Sequence, residues 1–181
     1  MPRVIAGEAR GVRLVTPKSV VRPTLDRVRE AVFSILQSRL PGARFLDLYA
    51  GSGANGIEAL SRGAAWCALV DSDSAAIDAI GENVFRSKLG HKCRTYKLTL
   101  PEGLGVITKT EAPFDIIYCD PPYDSPDYTA VLSQIKTLQL VAPDGTVLLE
   151  HDSRNEFSGC ADGFSTVRVK KHGRVGITIF A

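Results

Sequence analysis

The feature that most constrains the fold of this chain is a regular alternation of strand-like and helix-like segments. Segments that predict strands lie at residues 44–49, 65–70, 93–98, 114–119 and 146–150, and the one at 114–119 is apolar almost throughout. Segments with apolar residues three or four positions apart, as in amphipathic helices, separate these predicted strands. Strands that are apolar almost throughout are typical of a parallel sheet with both faces covered. The pattern therefore predicts an α/β fold with a doubly wound, mostly parallel, Rossmann-like sheet.

The two ends of the chain predict antiparallel additions to this sheet. Residues 165–180 predict a closing C-terminal antiparallel hairpin, which brings the predicted sheet to seven strands. Residues 3–15 predict a small N-terminal β-hairpin around a turn flanked by glycines. We therefore expect two parts: a basic β-hairpin extension over residues 1–22 and the Rossmann-like domain over residues 23–181.

The composition is that of an ordinary globular protein. Hydrophobic residues make up 44% and charged residues 23% of the 181 positions. No apolar run approaches the ~20 residues that a membrane-spanning helix needs, and the N-terminus lacks a signal-peptide pattern. We expect a cytoplasmic protein. The cysteines and histidines lack the spacing of metal ligands, so the sequence predicts no metal site.

Positive charge is concentrated at the two ends of the chain. Residues 1–30 carry seven Lys or Arg and three Asp or Glu, and residues 166–181 carry four basic residues and no acid. Basic ends around an acidic body suit a polyanionic partner that touches the termini. Solvated strand faces would give the same pattern, so charge alone leaves both interpretations open.

A glycine-rich loop follows the first predicted strand. Gly51, Gly53 and Gly56 match the dinucleotide pattern GxGxxG, and Asp71 stands 20 residues after Gly51, where a ribose-binding acid is expected. This alone would suit a nicotinamide-dependent enzyme. Asp47, four residues ahead of the loop, favours S-adenosylmethionine, because its carboxylate suits a ligand with an ammonium group and a sulfonium. Alternatively, Asp47 anchors the loop by accepting bonds from nearby N–H groups.

The third predicted strand should supply the contact to adenine, and here the sequence is least clearly marked. Leu98 can offer an apolar wall and Thr99 a hydroxyl. The cofactor-binding residues predicted from the chain itself are Asp47, Gly51, Ser52, Gly53, Asp71, Ser72, Leu98 and Thr99.

The fourth predicted strand ends in Asp120-Pro121-Pro122-Tyr123. A proline-rich turn is the simplest interpretation, but these residue types also suit alkylation of an aromatic amine. The lone pair of an exocyclic amine is delocalised into the ring, and acceptors on its two N–H groups would free it for in-line attack on a methyl group. Asp120 and the carbonyl of Pro121 can be those acceptors, held rigidly by two prolines. Tyr123 offers a face on which a flipped base can stack, at about 1–3 kcal/mol.

At this point the sequence resembles the RsmD-type 16S ribosomal RNA guanine-N2 methyltransferases of bacteria. The resemblance covers nearly the whole chain. It includes residues 3–7 with Arg10-Gly11, residues 46–53, residues 58–63 and the 120–123 tetrapeptide. Its most specific part is Arg-Pro-Thr-Leu-Asp-Arg-Val-Arg-Glu at residues 22–30. The tetrapeptide alone would also suit adenine-N6 enzymes, but the chain lacks a separate domain for reading a duplex sequence.

The resemblance implies S-adenosylmethionine as cofactor and the N2 amine of guanine 966 of 16S ribosomal RNA as acceptor. It adds Thr24 to the cofactor-binding set, and Arg22, Asp26 and Arg27 as candidates for contacts to the cofactor or base. Alternatively, these residues cap the first helix and form salt bridges on it, an interpretation that stays open for Asp26 and Arg29 in particular. The partner implied is ribosomal RNA or the small ribosomal subunit, and nothing demands more than a monomer. The predicted RNA-binding residues are Arg3, Arg10, Arg13, Lys18, Arg22, Lys170, Lys171 and Arg174.

Overall fold

The computed structural model describes residues 2–17, 26–122, 128–155, 160–161 and 163–181. The chain forms two compact units, Met1–Lys97 and Leu98–Ala181. The boundary expected at residues 22 and 23 lies outside the described residues and stays a prediction.

The first unit is a three-stranded parallel sheet with helices between its strands. Its elements are α1 (Asp26–Leu36), β1 (Arg44–Leu48), α2 (Ala54–Ser61), β2 (Trp66–Asp71), α3 (Ser74–Ser87), a 3-10 helix (Gly90–Lys92) and β3 (Cys93–Lys97). The strand order is β3-β2-β1, with Leu46 beside Ala68 and Leu69 beside Thr95. α2 returns the chain to the edge of the sheet where β1 began, so β2 runs parallel to β1. The carboxyl ends of β1 and β2 therefore lie side by side.

Apolar side chains on the strands and helices of this unit make its core. Phe45 and Leu48 of β1 are fully buried, as are Ile57 and Leu60 of α2. α3 starts where Asp73 accepts a bond of 3.0 Å from the Ala75 N–H, a typical N-cap. α1 ends at Leu36, where the chain passes into turns.

The N-terminal segment pairs as the predicted hairpin, through a single bridge between Arg3 and Arg13. Val4 donates to the Val12 carbonyl at 2.9 Å, and Gly11 donates back to the Val4 carbonyl at 2.9 Å. Gly11 has φ +87°, a backbone conformation that residues with a Cβ rarely adopt.

The second unit is a mixed sheet with two helices. Its elements are α4 (Leu104–Thr110), β4 (Phe114–Cys119), α5 (Tyr128–Thr137), β5 (Val141–Asp152), β6 (Cys160–Ala161), β7 (Phe164–His172) and β8 (Val175–Phe180). The order is β4-β5-β8-β7-β6; β4 and β5 run parallel, and the remaining neighbours run antiparallel.

The predicted fold class is confirmed, since the seven predicted strands are present and β7 and β8 form the closing hairpin. β6 adds a two-residue strand that the sequence did not predict. β5 begins at Val141 and not at Thr146, because the turn-like residues 142–145 form an irregularity within the strand. In the described part of the chain, no helix is both long enough and apolar enough to cross a membrane.

Candidate active site

The glycine loop between β1 and α2 is shaped by the acid at the end of β2. Gly51 and Gly53 have φ of +56° and +73°, so both positions favour glycine. The Gly51 N–H donates to Asp71 Oδ2 at 2.8 Å, and the Asp73 N–H donates to Asp71 Oδ1 at 2.9 Å. Each carboxylate oxygen has a second lone pair. Asp71 therefore positions the loop and can still accept from ribose hydroxyls.

Asp47 lies beneath this loop at the end of β1, with 1% of its surface exposed. Its Oδ2 accepts a bond of 2.8 Å from the Gly56 N–H at the start of α2. Burial raises the pKa of Asp47 to about 7; the Gly56 bond opposes this increase and the charge of Asp71 adds to it. Asp47 Oδ2 thus anchors the loop through a backbone N–H, which is the alternative role considered for Asp47 from the sequence. Oδ1 is buried and has no hydrogen-bond partner among the described residues.

Gly56 explains why α2 can approach the sheet so closely. A Cβ at Gly56 would lie 2.5 Å from Leu69 Cδ2, 2.7 Å from Cys67 Sγ and 3.3 Å from Asp47 Oδ2. Only a residue without a side chain lets the helix place its N–H on Asp47.

The first unit thus brings six predicted cofactor-binding residues to one edge of its sheet. They follow or end β1 and β2 and are Asp47, Gly51, Ser52, Gly53, Asp71 and Ser72. Together they present a buried unpartnered carboxylate oxygen and an acid with spare lone pairs beside a glycine loop. This arrangement fits a ligand that carries an ammonium group and ribose hydroxyls. Thr24 lies outside the described residues.

Leu98 and Thr99 belong to the second unit and directly follow β3. Leu98 is half-buried, and the side chain of Thr99 is exposed. The Thr99 carbonyl accepts a bond of 2.8 Å from the Gly103 N–H, which orders the turn before α4. Their proposed contact to adenine stays a prediction.

The predicted catalytic residues directly follow β4 in the second unit. Asp120 is half-buried, Pro121 is buried and Pro122 is exposed. β4 itself is buried, and Tyr118 donates a bond of 2.6 Å to Glu150 Oε2 on the neighbouring β5. Asp120 to Pro122 therefore directly follow a buried strand that is hydrogen-bonded to its neighbour. Tyr123 lies outside the described residues.

Sequence reasoning did not single out the buried polar side chains of β5. His151 is fully buried, with Nε2 2.9 Å from Thr178 Oγ1 and Nδ1 2.8 Å from the Asp152 carbonyl. Burial lowers its pKa. Gly176 leaves room for the ring, because a Cβ there would lie 2.5 Å from His151 Cε1. The periodicity of the sequence could not have revealed these contacts of His151, because nothing in the local pattern of β5 distinguishes His151 from the neighbouring strand residues.

The described members of the predicted RNA-binding set are all exposed. Arg3 and Arg13 face each other across the β-bridge, and Arg10 lies in the turn between them. Lys170, Lys171 and Arg174 lie on the β7–β8 hairpin, where Arg174 Nη2 is 3.7 Å from Asp152 Oδ2. The bridge sets two positive charges directly opposite each other, an arrangement that is unfavourable in a β-pair. Arg3 and Arg13 therefore concentrate positive charge at one place on the hairpin, where a polyanion would relieve the repulsion. Lys18 and Arg22 lie outside the described residues.

Three buried side chains hold the N-terminal segment to α2 and α3, and none was assigned this role from sequence. Glu58 accepts from the Ile5 N–H at 2.7 Å and from the Ala6 N–H at 3.1 Å. Ser61 accepts from Ala9 at 2.9 Å, and Asn83 binds residue 15. An acid inside the apolar run Ile-Glu-Ala-Leu was the available signal for Glu58.

No cluster of three or more His, Cys, Asp or Glu side chains suited to a metal ion occurs within the described ranges.

Comparison with known proteins places this geometry in a family. The family model described as Conserved hypothetical protein 95 matches residues 2–181. YlbH of Bacillus subtilis, a provisionally named rRNA methyltransferase, is 35% identical over 98% of this chain and 97% of its own. Ribosomal RNA small subunit methyltransferase D of Escherichia coli is 30% identical over 98% of this chain and 88% of its own. The solved structure of a hypothetical protein from Thermus thermophilus is 32% identical, with a TM-score of 0.85 over 99% of this chain and 98% of its own. The chain therefore belongs to the family of RsmD-type methyltransferases.

Proposed function

We propose that this protein transfers a methyl group from S-adenosylmethionine to the N2 amine of a guanine in 16S ribosomal RNA, guanine 966 by family resemblance. The observation that carries the proposal is the cluster at the ends of β1 and β2, within a chain that matches ribosomal RNA methyltransferases from end to end. The names of the relatives support ribosomal RNA as the substrate. The tetrapeptide at residues 120–123 supports an amino group as the methyl acceptor.

The residues of the first unit would hold the cofactor. Asp47 Oδ1, buried and without a described partner, would accept an ammonium N–H of the cofactor. Asp71 would accept from the ribose hydroxyls through its spare lone pairs, while its present bonds keep Gly51 in place. When bound, S-adenosylmethionine supplies a methyl group already activated by its sulfonium, so these residues need only bind and orient.

The residues after β4 would prepare the acceptor. Asp120 and the Pro121 carbonyl would each accept one N–H of the guanine amine, which localises the nitrogen lone pair for attack. After transfer the nitrogen is cationic and strongly acidic, so a carboxylate such as Asp120 can take its proton. Tyr123 would stack on the flipped base.

The exposed basic residues would hold the RNA backbone. Arg3, Arg10 and Arg13 on the N-terminal hairpin contribute one group, and Lys170 with Lys171 another. A guanine in a loop leaves its stack at lower cost than one in a duplex. We propose a monomer that acts in the cytoplasm on ribosomal RNA or on the small subunit.

The test separates binding from chemistry in an Asp120→Ala variant. The substrate is 16S RNA or small subunits from cells that lack the enzyme, and S-adenosylhomocysteine affinity is measured in parallel. We expect unchanged S-adenosylhomocysteine affinity and a loss of methyl transfer of about 100-fold or more. Asp144→Ala, an exposed acid in the same unit, is the matched control and should keep full activity.

Mapping of the methylated base decides the acceptor. Methyl on adenine N6 would replace the guanine assignment. A wild-type protein that binds NAD and ignores S-adenosylhomocysteine would end the methyltransferase proposal altogether.

A further inference from the structure

Asn83 joins two segments that are far apart in the sequence. It lies in the last turns of α3 and is fully buried. Its Oδ1 accepts from the Val15 N–H at 2.7 Å, and its Nδ2 donates to the Val15 carbonyl at 2.8 Å. The same Nδ2 donates to the Ser52 carbonyl, also at 2.8 Å. One amide thus links the N-terminal segment to the glycine loop.

The arrangement uses the full donor capacity of the amide. A primary amide has two N–H donors, and here each reaches a different backbone carbonyl. A shift of either segment would leave an N–H donor of the fully buried Asn83 amide unpaired, and an unpaired buried donor is costly. The position of Val15 and the position of Ser52 are therefore not independent.

α3 supports the loop at a second point one turn away. A Cβ on Gly53 would lie 3.2 Å from Ile80 Cγ1, so the loop already rests against this face of the helix. Ile80 and Asn83 are three residues apart and share that face. The loop conformation thus depends on α3, and through Asn83 on the N-terminal segment.

Within the described residues, other side-chain contacts to the N-terminal segment come from α1, α2 and the 3-10 helix, and Arg29 Nη2 on α1 donates to the Arg3 carbonyl at 2.6 Å. Glu58 and Ser61 on α2 bind residues 5, 6 and 9, and Lys92 Nζ is 2.7 Å from Glu8 Oε1. These contacts fix the hairpin that carries the exposed Arg3, Arg10 and Arg13. Asn83 adds the connection from this hairpin to Ser52.

We propose that Asn83 is a positioning residue that couples RNA binding at the N-terminal hairpin to cofactor binding at the glycine loop. RNA held by the hairpin arginines keeps Val15 on Asn83, and Asn83 then holds Ser52 in the conformation that the cofactor requires. The two ligands consequently bind with positive cooperativity, and the coupling is reciprocal. This inference rests on the proposed function, since it takes the loop as the cofactor site and the hairpin as the RNA site.

The first experiment uses the wild-type protein and needs no variant. Hydrogen exchange of the Val15 amide reports how often its bond to Asn83 Oδ1 opens. Saturating S-adenosylhomocysteine, whose predicted contacts are in the loop, should slow this exchange at least fivefold. An unchanged Val15 exchange rate, with S-adenosylhomocysteine bound, would overturn the inference.

The second experiment measures the coupling directly. Asn83→Asp keeps an acceptor for the Val15 N–H but replaces the Nδ2 donor with a carboxylate oxygen, which then faces the Val15 and Ser52 carbonyls. Affinity for S-adenosylhomocysteine is titrated with and without a fragment of 16S RNA. Wild type should bind at least fivefold more tightly with RNA present, the lower end of typical coupling, and the variant should show a ratio near one. If Asn83→Asp does not fold, Asn83→Ser takes its place with the same expectation.

Ser87→Ala is the matched control. Ser87 is buried on the same helix, and its hydroxyl donates to the nearby Val84 carbonyl at 3.0 Å. This variant should keep the wild-type ratio. Retention of that ratio by the Asn83 variant would refute the coupling, whereas a wild-type protein that binds no S-adenosylhomocysteine would refute the proposed function.

Discussion

Replacement of Asp47 by asparagine should stabilise the protein and weaken its hold on the cofactor. Asp47→Asn keeps the shape of the side chain, and the amide oxygen of asparagine can take the place of Asp47 Oδ2 and accept from the Gly56 N–H. The substitution removes a negative charge that is buried in the ligand-free protein. It also removes the acceptor proposed for the cofactor's ammonium group, so stability and binding should change in opposite directions.

The magnitude follows from the pKa of Asp47. A rise from 3.8 to about 7 corresponds to about 4 kcal/mol. Between these two values the folded protein binds one more proton than the unfolded chain, so this contribution to stability is full below pH 3.8 and is lost as pH rises through about 7. Asparagine avoids that loss but leaves its own N–H groups unpaired, at about 1–3 kcal/mol. The expected gain is therefore about 1–3 kcal/mol at pH 8.

Urea unfolding of wild type and Asp47→Asn at pH 8 and near pH 4.5 checks this reasoning. The advantage of the variant should be present at pH 8 and should shrink or reverse at pH 4.5, where wild-type Asp47 is protonated. Affinity of the variant for S-adenosylhomocysteine should fall about 30-fold or more, as when one partner of a buried charge pair is removed. A stability difference of equal size at both pH values would show that charge burial is not its cause.

Three further outcomes are expected. Gly56→Ala places a methyl group 2.5 Å from a β2 side chain and should destabilise the protein by about 1–3 kcal/mol in urea unfolding; an unchanged midpoint would contradict the close packing. Tyr118→Phe removes the donor to buried Glu150 and should cost about 1–3 kcal/mol, while S-adenosylhomocysteine affinity stays at the wild-type value. Arg3→Glu with Arg13→Glu should weaken binding to the 16S RNA fragment and flatten its salt dependence; an unaltered salt slope would exclude both from the RNA contact.

The local parts of the candidate site could be predicted from sequence because they depend on neighbouring residues. The strands that contain Asp47 or lead to Asp71 and Asp120 are largely apolar segments of a few residues, and the loop glycines stand at fixed spacing. Parallel strands then place the ends of β1 and β2 at one edge. The prediction failed where local signals misled, as at the start of β5, where Pro143 and Gly145 resembled a turn but lie within a strand.

The roles of buried polar groups could not be predicted in this way. Glu58 and Ser61 stand in a motif noted for family resemblance alone, yet they hold backbone groups 52 or more residues away. Asn83 resembles any polar residue on a helix, and its partners lie 68 and 31 residues distant. Such bonds depend on how the chain packs, which no local pattern encodes.

The sequence by itself determined the α/β class, the closing hairpin, and the residues that follow each strand, because side-chain periodicity and turn residues act over short distances. Only the tertiary structure decided that Asp47 is buried with one oxygen unpartnered among the described residues, and that its pKa is therefore raised. Only the tertiary structure, likewise, placed Val15 and Ser52 on the same amide of Asn83. Burial and long-range hydrogen bonds are properties of the packed chain, and these properties set the charge of Asp47 and the position of the loop.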